Sequence, residues 1–243
     1  MLDAIQHPVV AKSLKYAGTT VGRDKAYRGV QYFARFLTWY LSRKGYEKET
    51  VQRFNNLKST LGSSRKLMRL GKFIEHLQNA SKAFNDTDGF SKATTVGRQL
   101  SYSVYLFLDT FSWIHASGVY KFNQIKKINE NAYRFWLFGI VFSLIHGVYK
   151  LNQNRHRRNY YERINKSKIA ESGEHSNIRA ETAKLRTEHK NLVRQFITDI
   201  LDILIPATAL GHIKVEDGLV GLAGVISSVL GAQSQWNKVS NLK

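Results

Sequence analysis

The stretch "SSRKLMRLGKFIEHLQ", residues 63–78, combines strong cations with large aliphatic side chains and contains a single acid. At about 100° per residue, the aliphatic side chains fall within a helical arc of roughly 80°, and the basic ones fall on the opposite side. A strand would need period-two alternation, which is absent. The stretch therefore predicts a two-faced helix with Leu67, Leu70, Ile74 and Leu77 on one side and Arg65, Arg69, Lys72 and His76 on the other.

Such a helix is compatible with three roles: packing in a protein core, binding nucleic acid, or lying in a lipid surface. Phe73 widens the apolar side, whereas Met68 lies outside it. Lys66 sits beside the apolar side, where its long stem can follow the surface and keep the charge in water.

The net charge of the whole chain indicates which class of partner the protein binds. The 243 residues contain 37 Lys and Arg against 18 Asp and Glu, a net charge of +19. Such an excess predicts an anionic partner, which is nucleic acid, a phospholipid surface or an acidic protein. Residues 1–97 carry 17 basic and 7 acidic residues (+10), and residues 150–195 carry 12 basic and 5 acidic residues (+7). The remaining segments are close to neutral.

Composition also limits the fold class and the chemistry. There is no cysteine, which excludes disulfides and thiolate sites, and there are only two prolines, which favours an all-α chain. "GTTVGRDK", 18–25, departs from the phosphate-loop pattern, and no carboxylate or histidine cluster stands out. The sequence predicts no enzyme, cofactor or metal site. Asp109, an acid within an apolar stretch, is either functional or a capping residue.

Four apolar segments occupy the second half, around 98–120, 133–150, 196–213 and 218–237. Each is shorter or more polar than the about 20 apolar residues that a membrane span normally needs. We predict a basic amphipathic, membrane-associating region, 1–97, and a membrane region, 98–243, with short apolar helices packed together. A basic polar helical linker, 150–195, has a predicted loop around 171–177. A soluble core is the alternative.

Small residues repeat every four positions in the last apolar segment. Ala223, Ser227 and Gly231 form one row, and Gly224 and Ser228 begin another. Such rows let helix backbones approach closely, which is how helices associate in lipid. We expect self-association through Ala223, Gly224, Ser227, Ser228 and Gly231, with a close helix pair in a soluble protein as the alternative.

Turn signals divide the basic region into helices. We expect helices over 8–17, 23–42 and 47–83, with kinks in the last at Gly62 and Gly71, and a turn over "NDTDG", 85–89.

Several motifs resemble the peroxin-11 family of peroxisomal membrane proteins. "GRDKAYRGVQYFARF", 22–36, followed by "SRKLMRLGKFIEHL", resembles its N-terminal half. "WLFGIVFSLIHGVYKL" and "GLVGLAGVISSVLGAQSQW", 218–236, resemble its middle and C-terminal segments. The specific part of the first motif consists of Gly22, Arg23, Asp24, Lys25, Arg28, Gln31, Tyr32 and Arg35.

The resemblance implies an integral membrane protein that elongates and tubulates the peroxisomal membrane before division. It implies self-association, both termini in the cytosol, and recruitment of fission machinery including a dynamin-related GTPase and its adaptor. In that family an amphipathic helix inserts into the cytosolic leaflet. By resemblance, this assigns insertion to Leu67, Leu70, Phe73, Ile74 and Leu77, and binding of anionic phospholipid to Arg65, Arg69 and Lys72. A channel for small metabolites, also proposed for the family, is the alternative function.

Among the classes of function, a membrane-remodelling protein explains the basic helix, the apolar segments and the small-residue rows together. A pore leaves the basic helix unexplained. A nucleic-acid binder accounts only for the charge, so we expect no nucleic-acid partner.

Overall fold

The computed structural model describes residues 6–167 and 175–240, and within them the chain is all-α with no strand. The eight helices are α1 Pro8–Gly18, α2 Thr20–Arg43, α3 Lys48–Met68, α4 Lys72–Ala83, α5 Gly89–Ser117, α6 Ile125–Ser167, α7 His175–Ala209 and α8 Asp217–Ser240.

Local signals account for the helix ends. The Thr19 hydroxyl accepts a hydrogen bond from the Gly22 N–H, so α2 begins three residues earlier than expected. Asp88 caps α5 by accepting from the backbone N–H groups of Phe90 and Ser91, and it confirms the turn over 85–89.

The helix expected over 47–83 is divided at Gly71. This residue has φ +77°, a left-handed conformation that glycine adopts without steric cost, and it separates α3 from α4. Gly62, by contrast, lies within α3 without interrupting it. The kink predicted at Gly71 is therefore a complete break, whereas the kink predicted at Gly62 stays a prediction.

The helices close a ring. α2 packs on α3, α4 on α5, α5 on α6, α6 on α7, α7 on α8, and α8 returns to α2, while α3 also contacts α5. α1 lies outside against α2 and α8. The boundary expected at 97/98 falls inside α5, so the N-terminal and C-terminal regions form one packed unit.

α2 and α8 form a close antiparallel pair in this ring. A Cβ atom built on Gly218 would meet Trp39, one on Gly221 would meet Phe36, and one on Gly224 would meet Tyr32. Since the contacts move backward along α2 as they move forward along α8, the helices run antiparallel. Their backbones approach closely because glycine leaves room for the aromatic rings.

α6 is the longest helix, with 43 residues, which corresponds to about 64 Å. Within the described residues, Ile125–Ile164 is the one helical stretch long and apolar enough to cross a membrane by length and composition. Its C-terminal half packs against α7, where the buried Asn154 side chain donates to the Leu185 carbonyl oxygen. The loop predicted at 171–177 lies largely outside the described residues, and the chain is helical from His175 onward.

Candidate functional site

The aliphatic residues of the 63–78 stretch face outward. Leu67, Leu70, Ile74 and Leu77 are exposed, with Leu67 49% and Ile74 51% accessible. They lie on both sides of the break between α3 and α4, and we call these four residues the aliphatic row. An exposed set of large aliphatic side chains at helical spacing is unusual for a surface in contact with water.

Phe73 is placed differently from its aliphatic neighbours. It is half-buried and packs against the cluster of Tyr105, Leu106 and Ala132. Its ring also meets Phe107 edge-on, with centroids 5.4 Å apart. The placement of Phe73 in an outward apolar face is therefore wrong, because its ring packs against α5.

The cations of the same stretch point inward. Arg65 is 7% exposed, and its Nε lies 2.9 Å from an Asp24 carboxylate oxygen while its Nη1 donates to Gln31 at 2.7 Å. Arg69 donates to Asp109 at 2.7 Å and to the Tyr105 hydroxyl at 3.1 Å. The prediction of a surface basic stripe is thus wrong for Arg65 and Arg69, because buried carboxylates on α2 and α5 hold them.

Lys72 is half-buried, and lipid binding by this residue stays a prediction. The same contacts show what Asp109 does in this structure. It is 6% exposed and pairs with both Arg69 and Lys66, so it is neither a capping residue nor unpaired.

The inward cations line a cavity of about 800 Å³ between the helices of the ring, which we call the polar cavity. Every helix from α2 to α8 contributes lining residues. Three of the ion pairs across it join α2 to other helices. Arg28 contacts Asp202 at 2.6 Å, Arg35 contacts Asp217 at 2.6 Å, and Arg65 contacts Asp24 at 2.9 Å. The molecule therefore has a charged interior and many apolar side chains on its outside.

The motif that carries the family resemblance builds one wall of this cavity. Of its residues, those that line the cavity are Asp24, Lys25, Arg28, Gln31, Tyr32 and Arg35. They occupy one side of α2 because their spacing of three and four residues matches the helical repeat. The sequence marked these residues as specific, but it did not indicate that they face inward. Their partners Asp202 and Asp217 were missed, since nothing in the sequence links them to a helix more than 170 residues away.

Electrostatic interactions shift the pKa values on this wall. Burial by itself would raise the pKa of Asp24, but the Arg65 and Arg69 guanidiniums lower it below its usual value. Burial, together with the positive charge of Arg28, lowers the pKa of Lys25 from 10.5 to about 8. The cavity is therefore a strongly positive environment in which a further cation is unfavourable.

This shift predicts how stability depends on pH. Because the folded state binds the Lys25 proton more weakly than the unfolded state does, folding should become more favourable as pH rises from about 8 toward 10.5. The Lys25→Met variant lacks this contribution. Chemical denaturation at several pH values should show the wild type gaining stability relative to Lys25→Met over this interval. A constant difference between the two proteins would contradict the lowered pKa.

The small-residue rows of α8 face α2 of the same chain. Ala223, Ser227 and Ser228 are buried, and a Cβ atom on Gly224 would lie 2.3 Å from the Tyr32 ring. A Cβ atom on Gly231 would lie 3.1 Å from the Lys25 side chain. The close approach that the spacing predicted is present, but the partner is α2 and not a second copy. Self-association through this surface stays a prediction and requires α2 and α8 to separate.

Among the described residues, no group of three or more His, Cys, Asp and Glu side chains is arranged to hold a metal ion.

Comparison with known proteins places these features in a family. The family model described as peroxisomal biogenesis factor 11 (PEX11) matches residues 10–236. The chain is 30% identical to peroxisomal membrane protein PMP30B of Candida boidinii, with 97% of each chain covered. It is 25% identical to human peroxisomal membrane protein 11A, covering 89% of this chain and 92% of the relative. It is 24% identical to peroxisomal biogenesis factor 11 of Schizosaccharomyces pombe, covering 97% and 98%. No solved structure matches the chain.

Proposed function

The chain belongs to the peroxisomal biogenesis factor 11 family, which acts in peroxisome proliferation at the peroxisomal membrane, and we propose that it does so by inserting its aliphatic row into one leaflet. Insertion would expand that leaflet relative to the other and curve the membrane toward a tubule. The chain would thus act as a membrane-remodelling protein and not as an enzyme.

One observation carries this proposal, namely the orientation of the 63–78 stretch. Its aliphatic side chains are exposed while Arg65 and Arg69 are buried in ion pairs. A water-soluble protein generally buries aliphatic residues and exposes cations. The reversed arrangement is favourable where the surroundings of the helix are acyl chains, since each half-exposed Leu or Ile would gain about 1 kcal/mol on transfer.

Other helices support a lipid environment for the same body. α8 exposes Leu219, Leu222, Ile226 and Val229, and α6 exposes Phe138, Val141, Ile145 and Val148. Each set follows helical spacing and therefore forms one outward apolar face. We propose that these faces anchor the protein in the bilayer while the aliphatic row lies at the leaflet boundary.

The family resemblance supports the remaining parts of the proposal. These are self-association, cytosolic termini, contact with anionic phospholipid, and recruitment of fission machinery including a dynamin-related GTPase and its adaptor. Arg65 and Arg69 contribute to lipid contact only if they leave Asp24 and Asp109.

A second candidate function, a pore for small metabolites, is favoured by the polar cavity. A space of about 800 Å³ lined by residues from seven helices, many of them charged, is large enough to hold a small metabolite. In this alternative the apolar outer faces serve as anchors, and curvature does not depend on the aliphatic row.

One experiment separates these candidates. We would reconstitute the full-length protein into dye-loaded liposomes containing anionic phospholipid, and measure tubules by electron microscopy and dye release by fluorescence. Ile74→Glu places a charge where the acyl boundary would lie. We expect at least tenfold fewer tubules from this variant. A pore would release dye with or without the substitution.

Asn79→Glu is the matched control. It adds the same side chain to an exposed position of α4, well outside the aliphatic row, and should tubulate like the wild type. Both variants should keep the wild-type melting temperature in neutral detergent, because Ile74 is exposed. Normal tubulation by Ile74→Glu, or unfolding of this variant alone, would show that the row is not a lipid wedge.

A further inference from the structure

The polar cavity contains more positive charge than its carboxylates neutralise. Of the described residues that line it, eleven are Lys or Arg and five are Asp. Where such charges are withdrawn from water, an excess of one sign is unfavourable unless an anion compensates it. The arrangement of the individual pairs shows where the excess lies.

The carboxylates of the cavity are already engaged. Four of them form ion pairs, and the fifth, Asp199, accepts hydrogen bonds from Ser143 and Gln195. The ion pairs are Asp24 with Arg65, Asp109 with Arg69 and Lys66, Asp202 with Arg28, and Asp217 with Arg35. No lining carboxylate remains for the other cations.

Lys25 is the first cation without a counterion. Its aliphatic stem lies against Gly231 of α8, where an added Cβ would be 3.1 Å from both Cδ and Cε. Among the side chains that the structure describes, none forms a hydrogen bond or ion pair with it. Arg28 and Arg65 lie near enough to disfavour its charge, and Asp24 and Asp202 compensate only in part.

Arg98 of α5 is the second cation without an ion pair, and the Asp199 carboxylate, which lies near enough to attract its charge, compensates it only in part. The Arg98 guanidinium lies 5.7 Å from the centroid of the Tyr102 ring, a cation–π contact that uses none of its N–H donors. The Nε atom is buried and has no acceptor among the described residues. A buried donor without an acceptor is rare in folded proteins and calls for a ligand or a water molecule.

The space and the donors match a phosphate group. The cavity, about 800 Å³, lies within the range of ligand sites. A guanidinium binds phosphate oxygens through paired N–H donors, and an ammonium binds them as a point charge. Arg98 on α5 supplies the guanidinium and Lys25 on α2 supplies the ammonium, from different sides of the ring.

We propose that the polar cavity binds a phosphate group, held by Lys25 and Arg98. The group belongs to a phosphate ester, either a phospholipid headgroup that enters from the bilayer or a soluble molecule. Bound phosphate neutralises part of the excess charge and links α2 to α5 across the cavity. This proposal goes beyond membrane remodelling and rests neither on the leaflet wedge nor on a conducting pore.

The test uses the full-length protein in neutral detergent and measures thermal unfolding. Sodium phosphate is compared with sodium chloride at equal ionic strength, so that general screening cancels. We expect phosphate to raise the melting temperature of the wild type, with a dissociation constant at least tenfold higher for Lys25→Met and for Arg98→Met. In chloride these variants should be no less stable than the wild type, since each removes an uncompensated cation.

Lys12→Met is the matched control, because Lys12 is an exposed cation outside the cavity. It should respond to phosphate like the wild type. If Lys25→Met does not fold, Arg98→Met carries the comparison.

Nanodiscs of phosphatidylcholine, with or without phosphatidic acid, distinguish the two sources. Stabilisation by phosphatidic acid that is lost in Arg98→Met identifies a lipid headgroup, whereas stabilisation by sodium phosphate with no effect of phosphatidic acid identifies a soluble phosphate compound. The proposal is overturned if neither probe stabilises the wild type, or if both cavity variants respond as the wild type does.

Discussion

Arg65→Met should destabilise the folded protein by about 3–5 kcal/mol, because it leaves the buried Asp24 carboxylate without its main counterion. The side chains of the pair are only 9% and 13% exposed, and Arg65 also donates to Gln31 at 2.7 Å. Methionine fills a similar volume without charge. Urea denaturation of the full-length protein in neutral detergent, followed by circular dichroism, measures the loss.

Two further variants test whether the unpaired Asp24 carboxylate causes this loss of stability. Arg53 pairs with Glu49 on the surface of α3, where its side chain is 73% exposed, so Arg53→Met should cost less than about 1 kcal/mol. Combining Asp24→Asn with Arg65→Met removes both charges and should recover part of the stability.

Acid should reduce the difference between Arg65→Met and the wild type. The pKa of Asp24 is lowered in the folded state, so its contribution is present above its ordinary value of 3.8 and is lost as the pH falls through the lowered pKa. If Arg65→Met kept wild-type stability and lost only binding to anionic liposomes, Arg65 would belong on the surface, as the sequence pattern suggested.

The 63–78 stretch shows how far sequence reasoning reaches. The spacing of Leu67, Leu70, Ile74 and Leu77 predicted that they share one side, and the structure places all four outward. Spacing does not say which side of a helix faces the interior, because this depends on what surrounds the protein. The usual rule for water-soluble proteins would have placed these residues inside, and the resemblance placed Arg65 outside. Assigning the aliphatic residues or Arg65 to the inside or the outside requires knowing what each side chain contacts. The partner of Arg65 is Asp24, which lies 41 positions away in the sequence.

The same limit applies to the rows of small residues. Their four-residue spacing predicted that α8 would approach another helix closely. It could not identify that helix, since any surface with bulky side chains at matching spacing would fit. In the structure the bulky residues are Tyr32, Phe36 and Trp39 of α2.

Gly224→Leu should therefore disrupt the monomer itself. A Cβ at this position would lie 2.3 Å from the Tyr32 ring, and Tyr32 is part of the buried cluster with Ile205 and Val220. Neither the ring nor the helix backbone can move away without separating α2 from α8. Overpacking of this kind commonly costs about 1–3 kcal/mol, and we expect the upper end for leucine. Thermal unfolding in neutral detergent measures the loss.

Gly29→Ala provides the control from the facing helix. Its Cβ would lie 3.8 Å from the Ser228 Cβ, an ordinary contact. Alanine is favoured over glycine within a helix by about 1 kcal/mol, so this variant should be as stable as the wild type or more stable. Gly224→Ala should remain destabilising, although it adds the same single carbon. Cross-linking and sedimentation supply the decisive contrast: if Gly224→Leu left the melting temperature unchanged and weakened only oligomers, the rows of α8 would bind a second copy and not α2.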